Sequence, residues 1–412
     1  MVRKQDVFVS KGWEEEKRMQ KKTVRDVDVG GKRVLVRVDF NVPMDQSGKI
    51  EDDSRIRACL PTITYLVDHS ARVIICSHLG RPHGRVDDRL RMGPVARRLS
   101  ELLKKPVESL QKVTGSVVEQ AVSGMKDGDV ILLENLRFCP GEEENNPGFA
   151  RDLSRLADIF VNDAFGASHR AHASTVGVAG YLPCVAGLLM EKEIEQLSKL
   201  LEDPARPFAI ILGGAKVGEK MGILEYIIPK VDLVLIGGGV AATFLKSRGH
   251  NVGVSAVEPD KMELVETIQQ KAGSRGVRVL LPEDVVVAEK LEPDAAFLVV
   301  SADRIPADKR IADIGPLTVA LYTKELKQCR TVAWNGPMGA FEIPQFSDGT
   351  KSLAAVLAGL SATTVIGGGS TAEAVTQLGL AGKMTHVSTG GGAFLQFLSG
   401  KTLPGVAVLA DM

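Results

Sequence analysis

The stretch VDLVLIGGGVAATFL, residues 231–245, runs from an apolar segment through three consecutive glycines into a segment with helical spacing. The same order occurs in TTVIGGGSTAEAV at residues 363–375 and in THVSTGGGAFLQFL at residues 385–398, with a shorter version, AIILGGAKVGEK, at residues 209–220. Glycine allows tight turns and lets backbone N–H groups approach a ligand closely. A helix that begins there directs unpaired N–H groups and its positive dipole end at the same point. The repeated pattern therefore predicts a polyphosphate ligand.

Short β-rich runs alternate with helical patterns along most of the chain. Ten of these runs are predicted strands, and they are continuously apolar, as expected for strands buried on both faces. They lie at Arg33–Val38, Arg72–Cys76, Val130–Glu134, Ile159–Asn162, Phe208–Leu212, Leu233–Ile236, Val277–Leu281, Thr331–Trp334, Thr363–Ile366 and His386–Ser388. Such alternation predicts an α/β fold with parallel sheets and helices on both faces. In these sheets ligands bind beyond the carboxyl ends of the strands, where the glycine tracts lie.

Residues 191–207 separate two halves of similar size. The segment EKEIEQLSKLLED has apolar residues at helical spacing, and two prolines follow it before the next predicted strand. We therefore predict a connecting helix between two doubly wound domains, residues 19–190 and residues 208–399. Residues 1–18 form an N-terminal extension that has no apolar core segment and does not resemble a targeting peptide.

Composition argues against a nucleic-acid-binding protein, a disulfide-bonded protein and a membrane-spanning protein. The 412 residues include 51 basic and 51 acidic side chains, and this zero net charge argues against a nucleic-acid partner. The five cysteines are dispersed without a CxxC motif, which indicates reduced thiols in a cytoplasmic protein. No apolar run approaches the roughly 20 residues that a membrane helix needs.

Arginine and histidine side chains collect at predicted strand ends and loop starts in the first half. They occur in the segments VRVDFNVP, SRIRA, SHLGRP, ENLRF and HRAH. Arginine presents a planar set of donors that matches carboxylate and phosphate groups. A single arginine is usually a solvated surface group, but several at one edge of a sheet predict an anion-binding bowl. The HRAH spacing is also compatible with a metal site, although no matching Cys, Asp or Glu cluster accompanies it.

The second half offers lysines and a competing interpretation. Lys216 and Lys220 lie four residues apart, on one face of a helix that begins near Val217. The pattern of a P-loop is absent. Residues 237–242 fit a dinucleotide fingerprint, GxGxxA, with Glu258 about 20 residues further on. An oxidoreductase built on this fingerprint is therefore one interpretation of the chain, and a non-catalytic sugar-phosphate-binding protein is a second.

Eight segments together resemble the signature segments of phosphoglycerate kinases. They are VRVDFNVP, SHLGRP, ENLRF, VNDAFGASHRAHAST, GGAKVGEK, IGGGVAATFL, WNGPMGAFE and STGGGA, in this order, within a resemblance that extends from residue 22 to the C-terminus. The resemblance implies two doubly wound α/β domains joined by a helix, with the C-terminal segment, residues 400–412, returning to the first domain. It favours the kinase over both alternatives.

The resemblance also implies roles for individual residues. The first domain would hold 3-phosphoglycerate or 1,3-bisphosphoglycerate through Arg37, Asp39, Asn41, Arg55, His78, Leu79, Gly80, Arg81, Arg137, His169, Arg170 and His172. The second domain would hold the nucleotide through Lys216, Lys220, Gly238, Gly315, Asn335, Pro337, Glu342, Gly367, Gly368, Gly369 and Ser370. The transferred phosphoryl group would meet Arg55, Lys216 and the amides of Gly390, Gly391 and Gly392.

The implied reaction passes a phosphoryl group in line from 1,3-bisphosphoglycerate to ADP, with Mg²⁺ on the nucleotide. Its nucleophile is already an anion in both directions, so we expect positioning and charge neutralisation rather than a general base. Because two anionic substrates on separate domains repel each other, we expect domain closure about residues 191–207. The family is mostly monomeric, so a monomer is expected.

Two positions depart from the family pattern. Ser370 follows the triple glycine where the family usually has aspartate, so we expect weaker placement of Mg²⁺, with Glu373 as a partial substitute. Glu219 stands where aspartate is common. Residues 1–18 match no family segment, and we expect them to be dispensable for folding and catalysis.

Overall fold

The computed structural model describes residues 20–412, so the predicted extension, residues 1–18, lies outside the described residues. No helix between residues 20 and 412 combines the length and the apolar character needed to cross a membrane.

The first half of the chain forms a six-stranded sheet in which every strand pair is parallel. Its strands are β1 (Arg33–Arg37), β2 (Arg72–Cys76), β3 (Glu108–Ser109), β4 (Val130–Leu132), β5 (Ile159–Asn162) and β6 (Cys184–Ala186), in the spatial order β3–β4–β2–β1–β5–β6. The last residue of β1 pairs with the last residues of β2 and β5. Side chains that follow these three strands are therefore brought together at one edge of the sheet.

The second half forms another six-stranded parallel sheet. Its strands are β7 (Phe208–Leu212), β8 (Leu233–Ile236), β9 (Arg278–Leu280), β13 (Thr331–Asn335), β14 (Thr363–Gly367) and β15 (His386–Val387), in the spatial order β15–β14–β13–β7–β8–β9. All ten predicted strands occur, with bounds that shift by no more than two residues. Strands β3 and β6 contain only two and three residues and are too short to be found from the pattern.

A third, antiparallel sheet corrects the expectation that every sheet would be parallel. It contains β10 (Asp284–Ala288), β11 (Phe297–Ser301) and β12 (Arg310–Ile314), with β10 in the middle. The connection 289–296, between the neighbours β10 and β11, is too short for the crossover that parallel neighbours require. Chain length, rather than apolar content, therefore sets the direction of β11 relative to β10.

Thirteen helices surround the sheets within residues 20–412. They are α1 (Ser54–Asp68), α2 (Gly93–Leu103), α3 (Ser116–Ser123), α4 (Pro147–Ser154), α5 (Leu188–Glu202), α6 (Val217–Ile227), α7 (Gly238–Ser247), α8 (Met262–Ser274), α9 (Pro316–Leu326), α10 (Asp348–Ala358), α11 (Gly369–Gln377), α12 (Gly391–Leu398) and α13 (Pro404–Ala407). Helix α5 begins three residues before the predicted connecting helix and ends before Pro204. It contacts α1 from the first half and α12 from the second, and so joins them.

The C-terminal segment lies against the first half. The Ala410 N–H donates to the Cys184 carbonyl in β6 (2.9 Å), and the Lys22 N–H donates to the Ala410 carbonyl (2.8 Å). Lys21 Nζ also forms an ion pair with Asp411 at 2.7 Å. The two ends of the described chain therefore meet beside β6, after the chain has passed through both halves.

Candidate active site

A cleft of about 610 Å³ lies between the carboxyl ends of the two large sheets. From the first half it is lined by Asp39, Asn41, Arg55, His78, Arg81, Arg137, Gly166, Ala167, His169, Arg170 and His172. From the second half it is lined by Gly214, Ala215, Lys216, Glu219, Lys220, Asn335, Gly336, Pro337, Gly368, Gly369, Ser370, Thr371, Thr389, Gly390, Gly391, Gly392 and Leu395. Four arginines thus face two lysines and the starts of three helices.

The first-half side of the cleft is held in place by a buried carboxylate. Asp39 accepts a hydrogen bond from Arg55 Nη1 at 2.6 Å. Burial alone would raise the pKa of the Asp39 carboxyl, but the positive charges of Arg55 and Arg37 lower that pKa below its ordinary value. Asp39 therefore stays ionised and orients Arg55 at the start of α1, with the guanidinium one-third exposed toward the cleft.

Arg37 lies behind the cleft rather than in it. Its Nε donates to Ser174 Oγ at 2.8 Å, and Ser174 Oγ donates in turn to Glu142 Oε1 at 2.6 Å. Its Nη2 lies 3.1 Å from His78 Nδ1. Both Arg37 and Glu142 are buried, and the carboxylate of Glu142 compensates the charge of Arg37. The pair lies beneath the arginine-lined wall of the cleft, which we call the bowl (Arg55, Arg81, Arg137 and Arg170).

The three histidines of the bowl are neutral at pH 7. Burial lowers the pKa of His78 well below its ordinary value and lowers that of His169 as well. Burial, together with Arg37, Arg137 and Arg170, lowers the pKa of His172 to about 4. The histidines therefore add hydrogen-bonding groups to the bowl, while its positive charge comes from the arginines.

The two lysines of the second half occupy different environments. Lys216 immediately precedes α6, retains 76% of its side-chain exposure and pairs with Glu219 at 3.2 Å. Lys220, one turn into α6, is buried and donates to Asn335 Oδ1. Burial lowers the pKa of Lys220 to about 8. The exposed Lys216 side chain can therefore change its conformation to reach a ligand, whereas Lys220 is held in place by burial and by its hydrogen bond to Asn335.

Glycine lets several loops approach one another at the cleft. A Cβ on Gly390 would lie 2.6 Å from the Phe165 ring, and one on Gly392 would lie 3.1 Å from the His169 ring. Since Phe165 and His169 belong to the first half, the N-terminus of α12 reaches across to that half. The Gly390 N–H donates to Ser388 Oγ at 3.3 Å, whereas Gly391 and Gly392 lie in the first turn of α12, where N–H groups have no acceptor within the helix.

The tract at residues 237–239 packs against other loops instead of lining the cleft. Gly238 has a φ of +59°, and a Cβ there would lie 2.6 Å from the Gly214 nitrogen. Glu258 accepts hydrogen bonds from the Val217 and Gly218 N–H groups, at 2.8 and 3.2 Å, and so caps α6. The carboxylate that the dinucleotide interpretation would use for a ribose is thus occupied.

Most of the chain is similar to known proteins. The phosphoglycerate kinase family model matches residues 24–401. The phosphoglycerate kinase of Pelotomaculum thermopropionicum is 58% identical over 393 residues, which cover 95% of this chain and 100% of that protein. That of Moorella thermoacetica is 52% identical with the same coverage. The solved phosphoglycerate kinase of Coxiella burnetii matches with a TM-score of 0.83 at 42% identity. That of Pyrococcus horikoshii OT3 matches with a TM-score of 0.84 at 34% identity. Each of these two matches covers 94% of this chain and 98% of the solved chain.

The chain belongs to the phosphoglycerate kinase family. It is a phosphotransferase that passes a phosphoryl group reversibly between 1,3-bisphosphoglycerate and ADP, a reaction of glycolysis. The family identity, together with the occupied Glu258, sets aside the oxidoreductase interpretation.

Most residues that the family resemblance implied are brought together in the cleft, but seven are not part of its lining. These are Arg37, Leu79, Gly80, Gly238, Gly315, Glu342 and Gly367. Gly80 supplies backbone contacts, because its N–H donates to Asn41 Oδ1 at 2.8 Å and its carbonyl accepts from Arg137 Nη1 at 2.7 Å. Gly80 therefore orients Asn41 and Arg137 through its backbone. Gly315 precedes α9 and packs on Asp284, and Glu342 is exposed outside the cleft.

The sequence analysis missed two buried carboxylates that organise this site. Glu142 lies under the arginine bowl, and Glu193, on α5, bonds to His386 and Thr389. Glu142 belongs to an acidic run, GEEENN, which looks like a solvated loop. Glu193 sits in the charged segment EKEIE, where a buried carboxylate has no distinguishing pattern.

Proposed function

We propose that the phosphoglycerate binds to the first half, residues 19–190 with 400–412, and that the nucleotide binds to the second half, residues 208–399. Closure about residues 191–207 would then bring the two substrates into line. The observation that carries this division is the asymmetry of the cleft. One wall holds Arg55, Arg81, Arg137 and Arg170, whereas the other holds helix N-termini and two lysines.

The arginine wall suits a small molecule with a phosphate and a carboxylate at opposite ends. Arg137 is buried, while Arg170 lies at the surface of the bowl. Guanidinium groups that remain charged when partly buried bind such anions without any proton transfer. Asp39 and Asn41 line the same wall and offer acceptors to the hydroxyl of the substrate.

The opposite wall suits a chain of phosphates. Helices α6, α11 and α12 begin at Lys216–Val217, Gly368–Gly369 and Gly390–Gly391, so the N-termini of three helices converge on the cleft. The starts of α11 and α12 supply N–H groups and the positive end of a dipole, whereas the first N–H groups of α6 donate to Glu258 and its start contributes Lys216 instead. Lys220 and Asn335, which bond to each other, fix the relative position of α6 and β13 beneath this surface.

The transferred phosphoryl group is expected to meet Arg55, Lys216 and the amides of Gly390, Gly391 and Gly392. All five residues line the cleft, and they approach from both sides. Charge on the phosphoryl oxygens would be neutralised as it moves, which is the main requirement of such a transfer. The lowered pKa values of the histidines fit a reaction in which no proton needs to be moved.

Mg²⁺ is expected to arrive on the nucleotide phosphates and to neutralise part of their charge. Two carboxylates occur in the described lining of the cleft, Asp39 and Glu219, and each is paired with a cation. This donor set fits a metal held mainly by phosphate oxygens and water, because Mg²⁺ commonly uses only one or two carboxylates. Ser370, the second residue of α11, lies in the lining and would face the metal, whereas Glu373 lies outside the lining.

The catalytic unit is expected to be a single chain, because one chain supplies the whole cleft. A cytoplasmic location is expected because the five cysteines are free thiols. A coupled assay with ATP and 3-phosphoglycerate tests the activity itself. Calorimetry then tests the division of the site: Arg170→Ala should weaken phosphoglycerate binding and leave ADP binding unchanged. Equal weakening of the binding of both ligands would overturn the division.

Small-angle scattering tests the closure: the radius of gyration should be smaller with both ligands bound than with either alone.

A further inference from the structure

Glu142 is a fully buried glutamate that holds, from beneath, the loop that carries Arg170 and His172. Its main-chain carbonyl accepts a hydrogen bond from the Ala173 N–H at 2.9 Å. Its two carboxylate oxygens accept from the Ser174 N–H at 3.0 Å and from the Ser174 hydroxyl at 2.6 Å. Arg170 and His172 both line the cleft. Three hydrogen bonds to one buried residue therefore fix the loop directly after these two side chains.

The next residue of the loop, Thr175, extends this support to the backbone of the cleft residues. Thr175 Oγ1 accepts from the His172 N–H at 3.1 Å and donates to the Arg170 carbonyl at 3.0 Å. The Thr175 side chain is buried, so these bonds are shielded from water. Because Glu142 fixes Ser174, it also fixes Thr175 and the backbone that Thr175 holds.

Ser174 also joins the loop to the strands of the first sheet. The Nε of Arg37, the last residue of β1, donates to Ser174 Oγ at 2.8 Å. Arg37 Nη2 lies 3.1 Å from Nδ1 of His78, which follows β2 and lines the cleft. The Ser174 hydroxyl accepts from Arg37 and donates to Glu142, so one buried contact connects the loop to the ends of two neighbouring strands.

We propose that Glu142 is a positioning residue for phosphoglycerate binding and acts through Ser174 on the loop that carries Arg170 and His172. Glu142 lies outside the cleft lining, so its effect on the substrate passes through other residues. This inference rests on the proposed function, which assigns the phosphoglycerate to this wall of the cleft. Donors that are already fixed bind a small anion more tightly, because less conformational freedom is lost on binding.

Positioning and net charge predict opposite results when Glu142 is neutralised. Glu142→Gln leaves the positive charge of Arg37 without its carboxylate. Charge alone would then attract an anion more strongly and tighten phosphoglycerate binding. However, glutamine has a single oxygen acceptor for the two Ser174 donors, so the loop is held less firmly and binding weakens. The sign of the change in affinity therefore separates the two effects.

Calorimetry of the full chain with 3-phosphoglycerate and with ADP tests the proposal. Glu142→Gln and Ser174→Ala should each raise the Kd for 3-phosphoglycerate about ten-fold, roughly the effect of one hydrogen bond to a charged group, and leave the Kd for ADP unchanged. Glu144→Gln makes the same charge change at an exposed residue outside the cleft lining and should change neither Kd. Ser174→Ala removes no charge, so it provides the test even if Glu142→Gln does not fold.

A purely structural role for Glu142 would lower the thermal midpoint of the variants and leave both dissociation constants unchanged. Phosphoglycerate binding that is unchanged or tighter in either folded variant would overturn the proposal. A double-mutant cycle tests the route of the effect. The double variant should bind phosphoglycerate no more weakly than Glu142→Gln alone, because both changes break the same contact. Additive losses would contradict action through Ser174.

Arg170→Ala separates failure of this proposal from failure of the proposed function. If Arg170→Ala leaves phosphoglycerate binding unchanged, the substrate does not use this wall, and both are overturned. If Arg170→Ala weakens that binding and the Glu142 and Ser174 variants do not, only the positioning role of Glu142 is overturned.

Discussion

Glu193 in α5 and His386 in β15 are joined by a hydrogen bond of 2.7 Å between Oε2 and Nε2. Both side chains are buried, and the other carboxylate oxygen, Oε1, accepts from the N–H and the hydroxyl of Thr389, at 2.7 and 2.8 Å. Thr389 immediately precedes the glycines that begin α12. One buried carboxylate of the connecting helix therefore holds the segment that leads into residues 390–392, which line the cleft.

This contact predicts that Glu193→Gln lowers both stability and turnover. Glutamine can accept from Thr389 or from His386 through its single carbonyl oxygen, but not from both, so one buried donor is left unpaired at a cost of about 1–3 kcal/mol. The thermal midpoint and kcat would be measured together with those of Glu195→Gln, a matched change at an exposed position of the same helix. Equal behaviour of the two variants would show that Glu193 does not link the helix to the cleft.

Alanine substitutions of two arginines of the bowl are expected to change different kinetic constants. Arg170→Ala should mainly raise the KM for phosphoglycerate, because Arg170 is proposed as a substrate anchor. Arg55→Ala should lower kcat by a factor on the order of 100 or more, because its charge meets the moving phosphoryl group. Arg57→Ala is the control, since Arg57 lies on the same helix and outside the cleft lining. Near-normal turnover in Arg55→Ala would refute its assigned role.

Lys216→Ala should remove most of the turnover, by about 100-fold or more, and leave the fold intact. The reason is the 76% exposure of its side chain, which means that the ammonium group contributes charge rather than packing. Circular dichroism and the thermal midpoint should match those of the parent, and Lys246→Ala, at an exposed position of α7, serves as the control. An active Lys216→Ala enzyme would make this residue an ordinary surface lysine.

The buried carboxyl group of Asp163 is expected to make the stability of the protein depend on pH. Burial raises the pKa of its carboxyl from 3.8 to about 6, despite hydrogen bonds from the Leu189 and Met190 N–H groups at the start of α5. As pH rises from about 4 to about 6, the folded state keeps a proton that the unfolded state loses, so the free energy of unfolding falls by about 3 kcal/mol.

Asp163→Asn should remove this fall, because the amide has no charge to bury. Urea unfolding at several pH values would compare it with the parent and with Asp68→Asn, a change at an exposed position. A parent and an Asp163→Asn variant with the same pH slope would show that Asp163 ionises normally in the folded protein.

Ser370→Asp should lower the Mg²⁺ concentration that gives half-maximal activity at fixed nucleotide. A carboxylate is a better Mg²⁺ ligand than a hydroxyl group, and Ser370 is exposed in the cleft at the start of α11. Ser361→Asp, at an exposed residue outside the cleft lining, controls for the added charge. If Ser370→Asp needs as much metal as the parent or more, the serine is not a weakened metal position.

The sequence by itself determined the two large sheets and the general character of the site. Continuous apolar runs such as FAIIL and LVLI require burial on both faces, and that requirement is local to each strand. Glycine tracts at strand ends marked the phosphate-binding edge, since only glycine allows the backbone approaches seen at Gly390 and Gly392. These signals can be read without knowing which segments are neighbours.

Only the tertiary structure decided which polar residues face the cleft and which lie beneath it. Arg37 and Arg55 were both predicted to bind the phosphoglycerate, yet Arg37 is buried on Ser174 and Arg55 lines the cleft. Glu142 and Glu193 sit in runs of charged residues that suggest exposure, but strands and helices distant in the sequence surround them. Burial and hydrogen bonding of a charge depend on segments brought together by folding, so the environment of each side chain is a property of the assembled halves.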